Sequence, residues 1–316
     1  MAAATDAGPG QAAPAAPAGP NHGLRIFLLW LPVAVIADLV IWFVWGPHLP
    51  PGAMSSTASG QQFDIRVLAV LAAPVMAFVL VYFGYALIVW RQRDGDTDDG
   101  PPLQGNTRVQ ASWITATTVI VLSVFVFGLV ELSTSNGAGA GQGPSPIWRP
   151  GGTPLVVQVI GQQWKFTYRY PQFGGFETTQ LVLPEGQWVA FNVTSLDVIH
   201  SFWAYQLGVK SDANPGVNNI AYTKPEHTGT VVVRCAELCG LWHGAMFDYG
   251  RVVSVAAFRA WAATTRVQLA AVTRILPPYA TTYDPTVIPQ INKAMAKAGI
   301  GGANGYYYPP QDPAQP

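Results

Sequence analysis

Charge is the scarcest commodity in this chain. Of 316 residues only 11% are Asp, Glu, Lys or Arg, and the 17 acids and 17 bases cancel. A soluble globular protein carries roughly 25% charged residues, so part of this one belongs in a medium that excludes charge. Runs of Lys and Arg are also missing, which gives nucleic acid no footing. Cysteine is nearly absent, at two residues. Two are too few for a disulfide framework and leave one bridge, two free thiols or a pair of metal ligands.

What is plentiful is apolar sequence. Residues 1–23 are mostly Ala, Pro and Gly, cannot build a core and are expected to be disordered. Three long apolar runs follow at Leu24–Trp45, Val67–Trp90 and Trp113–Leu132. At about 1.5 Å rise per residue each reaches roughly 30 Å, enough to cross a bilayer. Trp42, Trp45, Trp90 and Trp113 lie near the ends, as interfacial aromatics do. The first run is longer than a usual signal core and no clear small-x-small site follows it, so a retained helix is expected. Arginines at 91, 93 and 108 place the second connection in the cytoplasm, and everything after Leu132 outside. Asp38 falls in the middle of the first helix, where an ionisable side chain is costly and flags function or a partner.

Residues 133–152 read as a Gly/Ser/Pro linker. Beyond them the period changes. Leu155–Tyr170, Gln187–His200, Thr230–Arg234 and Met246–Val255 have the alternation or β-branched content of strands, bounded by Gly, Pro and Asn. The expectation is a Greek-key β-sandwich over 153–262. Ala256–Leu276 reads as a helix stopped by Pro277 and Pro278, and the remainder to residue 316 as an irregular tail.

Both cysteines fall in one stretch, Cys235-Ala-Glu-Leu-Cys239-Gly-Leu-Trp-His243-Gly-Ala-Met246, and His200 lies 35 residues upstream of Cys235. Thiolate, imidazole and thioether are the soft ligands that copper selects. Three residues between the cysteines let both sulfurs face one side and bridge two metals, with His200 and His243 as terminal ligands, Met246 as a long thioether bond and a loop carbonyl completing the set. Leu241, Trp242 and Phe247 are expected to exclude water from it. Alternatives remain at this point. A Cys235–Cys239 disulfide would leave the spacing of His243, Met246 and Glu237 without a reason. A Cys2His2 zinc site has no use for Met246. A mononuclear blue-copper site leaves one cysteine over.

Cys-x-Glu-x-Cys-Gly-x-x-His-x-x-Met resembles the binuclear copper (CuA) signature of cytochrome c oxidase subunit II. Asp197-Val-Ile-His200-Ser, the loop Leu207–Gly216 and the aromatic segment Gly161–Tyr170 resemble further segments of that family, in order. The resemblance implies N-terminal transmembrane helices and a cupredoxin-like domain outside a bacterial cell membrane. His200 and His243 would be terminal ligands, Cys235 and Cys239 bridging thiolates, and Met246 and the Glu237 carbonyl weak ligands. The Glu237 side chain would reach a magnesium or manganese ion shared with subunit I, and Trp164 would be the electron entry point. Cytochrome c or a similar carrier would be the donor, with the haems in the partner subunit. The chain departs from the family in having Phe166, Gln110 and Val217 at positions where tryptophan, glutamate and arginine are common, and in its extra first helix. A nitric oxide reductase subunit and a membrane-tethered copper chaperone are the rival functions.

Overall fold

The computed structural model describes residues 20–92, 95 and 105–274. The expected N-terminal disorder up to residue 19, Arg93 and the tail from residue 275 lie outside the described residues. The chain divides into two compact units. One contains the first helix and the second from Val70 onward; the other contains Ile41–Ala69, the third helix and the β-domain.

Three helices are long and apolar enough to cross a membrane. In the first, α1 (His22–Val40) runs into a π-helical turn at Ile41–Trp45 and a 3-10 turn at Gly46–His48. Next, α2 (Ser56–Val89) begins eleven residues before the apolar run that announces it. The third, α3 (Thr107–Ser135), is capped by the Asn106 side chain, which accepts from the Arg108 and Val109 amides. Most of their large apolar side chains are exposed, as expected of helices whose apolar surface is covered by lipid or by another chain. Asp38 is the one ionisable side chain between Arg25 and His48. On insertion scales such a residue at a helix centre costs about 2.5–3.5 kcal/mol.

The early start of α2 has a local cause. Ser55 caps it, its hydroxyl accepting from the Ala58 amide while donating to the Leu207 carbonyl. One turn on, the Gln61 amide donates to the Gly208 carbonyl at 2.8 Å. Polar residues 56–66 therefore form a helix fastened to the β-domain, which a hydropathy window does not detect. Gly208 sits at φ +64, and a Cβ there would meet the backbone of Thr57 and Ala58 at 2.5–2.8 Å.

The β-domain is a sandwich of two five-stranded sheets, cupredoxin-like in architecture. The strands are β1 Leu155–Gln162, β2 Lys165–Tyr170, β3 Phe176–Thr178, β4 Val182–Pro184, β5 Val189–Ser195, β6 His200–Ala204, β7 Val209–Ala213, β8 Asn219–Thr223, β9 Gly229–Cys235 and β10 Phe247–Val253. One sheet has the order β3-β2-β1-β5-β8, the other β4-β10-β9-β6-β7, and β1/β5 and β4/β10 pair in parallel. The long segment expected at 155–170 is a tight hairpin, turning at Gln163 and Trp164. Between the sheets lie Val157, Val159, Tyr168, Phe191, Phe202, Val231 and Val233, all fully buried. Tyr170 locks one corner, its hydroxyl donating to the Val182 carbonyl and accepting from the Val182 amide. The closing helix α4 (Val255–Gln268), capped by Ser254, ends earlier than expected, with a short α5 (Ala270–Thr273) after Leu269.

The segment 133–152 is not a free linker. α3 continues to Ser135, Asn136 closes it in the left-handed region (φ 53), and residues 139–143 lie along two sheet edges. Lys210 of β7 donates to the Gly139 carbonyl, Gln142 donates to the carbonyl of Ile220 in β8, and the Ile220 amide returns to Gly143. Unpaired edge groups of both sheets are satisfied this way. A side chain at Gly139 would overlap the Gly208 carbonyl oxygen.

Candidate metal centre

Five side chains converge at one end of the sandwich because two adjacent strands deliver them. β6 opens with His200 and its neighbour β9 ends with Cys235, with Phe202 paired opposite Cys235. The chain then leaves the sheet through residues 236–242, makes a 3-10 turn at His243–Ala245, and re-enters at β10. Re-entry ties the loop shut, since the Cys235 amide donates to the Met246 carbonyl at 3.0 Å.

The sulfurs of Cys235 and Cys239 are 3.7 Å apart and unbonded to each other. His200 Nδ1 lies 3.8 Å from Cys235 Sγ, and His243 Nδ1 lies 3.5 Å from Cys239 Sγ. Met246 Sδ is 3.8 Å from Cys239 Sγ, and the Glu237 carbonyl oxygen is 3.3 Å from Cys235 Sγ. Each sulfur thus has one imidazole beside it and one weak donor, a thioether for Cys239 and a carbonyl for Cys235. His200, Cys235 and Cys239 are buried and have donor atoms within 4.8 Å of one another, a grouping fit for a metal ion. The donor set suits copper, which prefers soft sulfur with imidazole. The Glu237 side chain does not join the cluster. It is exposed and lines a separate polar cavity of roughly 490 Å³ with Gln61, Lys210, Asp212 and Asn219.

Water is excluded differently from the expectation. Leu241 is 83% exposed, Phe247 46% and Trp242 37%, because the ligand loop turns these side chains outward. The shield is the inner wall, where the Phe166 ring meets the imidazole of His200 edge-on and Phe202 packs behind it. Gly161 leaves room for that imidazole, since a Cβ there would lie 2.9 Å from His200 Cδ2.

Trp164 is half-buried against the core, and its indole Nε1 donates to the Cys239 carbonyl at 3.2 Å. Gln163 Nε2 donates to the same carbonyl at 2.8 Å, and the Gln163 amide donates to Asp197 Oδ2 at 2.7 Å. The β1–β2 hairpin therefore holds both ligand-bearing loops.

Asp197 is a further candidate site residue, one to which the sequence alone assigns no role of its own. Its Oδ1 lies 2.8 Å from His200 Nε2 and also accepts from the Val198 amide. With Nε2 donating to the carboxylate, Nδ1 is left bare toward the thiols, the outer-sphere arrangement that orients metal-binding histidines. Burial alone would raise the Asp197 pKa, but the bonds from His200, Gln163 and Val198 hold it below the ordinary value. Burial likewise disfavours the His200 cation, yet Asp197 and Cys235 outweigh it and raise the His200 pKa. The spacing of an acid three residues before a histidine was the signal available. Replacing Asp197 by asparagine is expected to lower copper affinity by about 10–100-fold, measured by competition with a chelator.

Burial pushes both thiols up. For Cys235 this is outweighed by His200, by backbone groups at Ser201 and Glu237 and by Cys239, and its pKa falls to about 6. For Cys239 burial and the Cys235 charge act together and carry it to about 12. The two close sulfurs therefore resist carrying two negative charges, Cys235 being favoured as the thiolate and Cys239 as the thiol. Loading both sulfurs must expel the proton that the pair retains, so copper affinity is expected to fall as pH drops. Where a second proton competes for the pair, the fall steepens. A series of chelator competitions at different pH values measures this slope.

Fold and site together define a class, a cupredoxin-like domain with a candidate copper site that follows three helices long and apolar enough to cross a membrane. Comparison with known proteins narrows it. Residues 176–249 match the family described as cytochrome c oxidase subunit II, periplasmic domain. The chain is 29% identical over 283 residues to cytochrome c oxidase subunit 2 of Thermostichus vulcanus, covering 74% of this chain and 84% of that one. It is 28% identical over 247 residues to the Synechocystis protein of the same name, covering 67% and 74%. A crystal structure of the periplasmic domain of subunit II of cytochrome oxidase from Bradyrhizobium japonicum is 33% identical, covers 36% of this chain and 94% of that chain, and has a TM-score of 0.35. The family that the sequence resembles is the one whose model matches residues 176–249, and the relatives similar over most of the chain carry the name cytochrome c oxidase subunit 2.

Proposed function

We propose that this chain is the electron-relay subunit of a haem–copper terminal oxidase in a bacterial cell membrane, with its β-domain on the outer side. It takes single electrons from reduced cytochrome c or a similar carrier and delivers them to haem in subunit I. There oxygen is reduced to water, coupled to proton translocation. The observation that carries this reading is the paired arrangement of His200, Cys235, Cys239, His243 and Met246 around two sulfurs 3.7 Å apart. These side chains and the Glu237 carbonyl would hold a binuclear copper centre. When bound, that centre supplies a one-electron carrier whose sulfur-rich surroundings suit both oxidation states.

The chain's own residues have distinct tasks in this reading. Asp197 fixes the tautomer of His200, while Gln163 and Trp164 hold the Cys239 carbonyl and with it the ligand loop. Trp164, bonded to that carbonyl and half-buried, is the entry point from the donor. The Glu237 side chain is free of the sulfur cluster and available to a magnesium or manganese ion shared with subunit I. The three arginines beyond α2 favour the cytoplasm for that connection and the outside for the β-domain.

The docking face has a character that can be measured. Residues 150–262 carry seven acids and seven bases, and exposed Val198, Ile199, Leu238 and Leu241 flank the proposed ligands. Steering by charge should be weak. Donor affinity is expected to change little with ionic strength in a turnover assay; a steep fall with salt would show a charged docking face instead.

The deciding experiment is isolation of the native complex, with its subunits identified and its copper and haem content read. Two retained coppers with a mixed-valence spectrum support the reading. No copper, or a single labile one, overturns it and favours a copper chaperone.

A further inference from the structure

α1 is the helix with least to do in the function proposed above, yet it carries an enclosed carboxylate oxygen without a hydrogen-bond partner, as α2 does at Asp64 near its polar start. From Ile26 to Pro47 every side chain but one is free of ionisable groups, and that one is Asp38. The helix otherwise settles its polar atoms within its own unit. His22 Nδ1 is 2.7 Å from the Tyr85 hydroxyl, and the Trp30 indole donates to the Pro74 carbonyl at 2.8 Å. Asp38 differs, because its Oδ1 is enclosed and has no hydrogen-bond partner among the described residues. Water cannot supply one in hydrocarbon, so an intramembrane carboxylate calls for a named partner.

A second observation falls at the same level. Three residues after Asp38 the helix widens into the π-helical turn Ile41–Trp45. Such turns are rare and gather at functional positions. Beside Asp38, Val35 (47% exposed), Ile36 (60%) and Leu39 (52%) present an open aliphatic surface. A helix that only anchored the chain would need neither the acid nor the widened turn.

We propose that α1 is a docking helix, and that Asp38 pairs within the membrane with an arginine or lysine on a transmembrane helix of another polypeptide of the complex. A carboxylate in low dielectric is best matched by a cation, and a charge-assisted bond is the strong form of such contact. The pairing makes the extra helix a determinant of which complex the chain joins, apart from the copper ligands.

The test is made in native membranes with Asp38 intact. A photoreactive residue is placed at Ile36 or Leu39, and the crosslinked peptides are identified by mass spectrometry after irradiation. The expected product joins α1 to a membrane-spanning segment of a different chain that carries Arg or Lys. Products with lipid alone, with a second copy of this chain, or with a segment lacking a basic residue overturn the proposal. So does a mature chain whose N-terminus begins beyond Asp38.

Charge is tested separately. Asp38→Asn lowers the penalty for inserting α1, so the helix still enters the bilayer, but it removes the anion. Retention of this chain in the detergent-washed complex should fall several-fold in Asp38→Asn and recover in Asp38→Glu. Equal retention in all three overturns the pairing. Copper content of the chain should stay unchanged throughout, which separates this outcome from any failure of the relay reading.

Discussion

In the relay reading proposed above, replacing Cys239 by serine should cost the centre its copper pair and lower electron transfer more than about 100-fold, beyond the 10–100-fold typical of outer-sphere changes. Cys239 Sγ is the hub of the cluster, 3.7 Å from Cys235 Sγ, 3.5 Å from His243 Nδ1 and 3.8 Å from Met246 Sδ. A serine oxygen is a hard donor that stays protonated near neutral pH, so the second bridging sulfur is lost and with it the preference for copper. The fold should survive, because the hairpin grips residue 239 through its backbone carbonyl, which the substitution leaves in place. Copper analysis and the visible spectrum of the purified variant check this. A variant with full copper and an unaltered spectrum would refute the assignment of Cys239 as a bridge.

The largest effect on stability should come from Phe202→Ala, at about 3–5 kcal/mol. Phe202 is fully buried, and its ring lies 5.1 Å from that of Phe191, 5.7 Å from Phe166 and 6.4 Å from Tyr168. It therefore bridges the two sheets, as a β6 residue packed on β1-sheet aromatics. Deletion leaves a void that rigid strands cannot fill. Phe202 also backs the wall behind His200, so copper should bind less tightly as well as the domain unfolding sooner. Protease digestion of the membrane-embedded chain across a urea series measures the loss. A midpoint equal to that of the unaltered protein would rule out the bridging role.

Several features were legible in the sequence for identifiable reasons. Long apolar runs report membrane helices because lipid tolerates little else. The twelve-residue stretch from Cys235 to Met246 reports a soft-metal cluster because two thiols, an imidazole and a thioether have few other reasons to share one loop. Other features depended on tertiary contact. Residues 56–66 are polar, and only the carbonyls of Leu207 and Gly208, some 150 positions away, turn them into a capped helical extension. Glycine-rich 139–143 has a linker's composition, and its role as an edge cover depends on two sheets that composition does not encode. Short strands β3 and β4 span three residues each, too few for periodicity to speak. Leu241 and Trp242 face outward and not into the expected shield, because sequence neighbours of a ligand need not point where the ligand points.

The fastening of Ser55 and Gln61 to Leu207 and Gly208, with the run 139–143 laid on β7 and β8, gives the β-domain two struts rooted in different helices. A domain on one flexible stalk would wander, and in the relay reading proposed above the gap that an electron crosses would fluctuate with it. Two struts convert that stalk into a bracket. Lengthening the run after Asn136 would loosen only one arm, whereas removing the Gln61 amide as well would free the head to swing and make transfer intermittent.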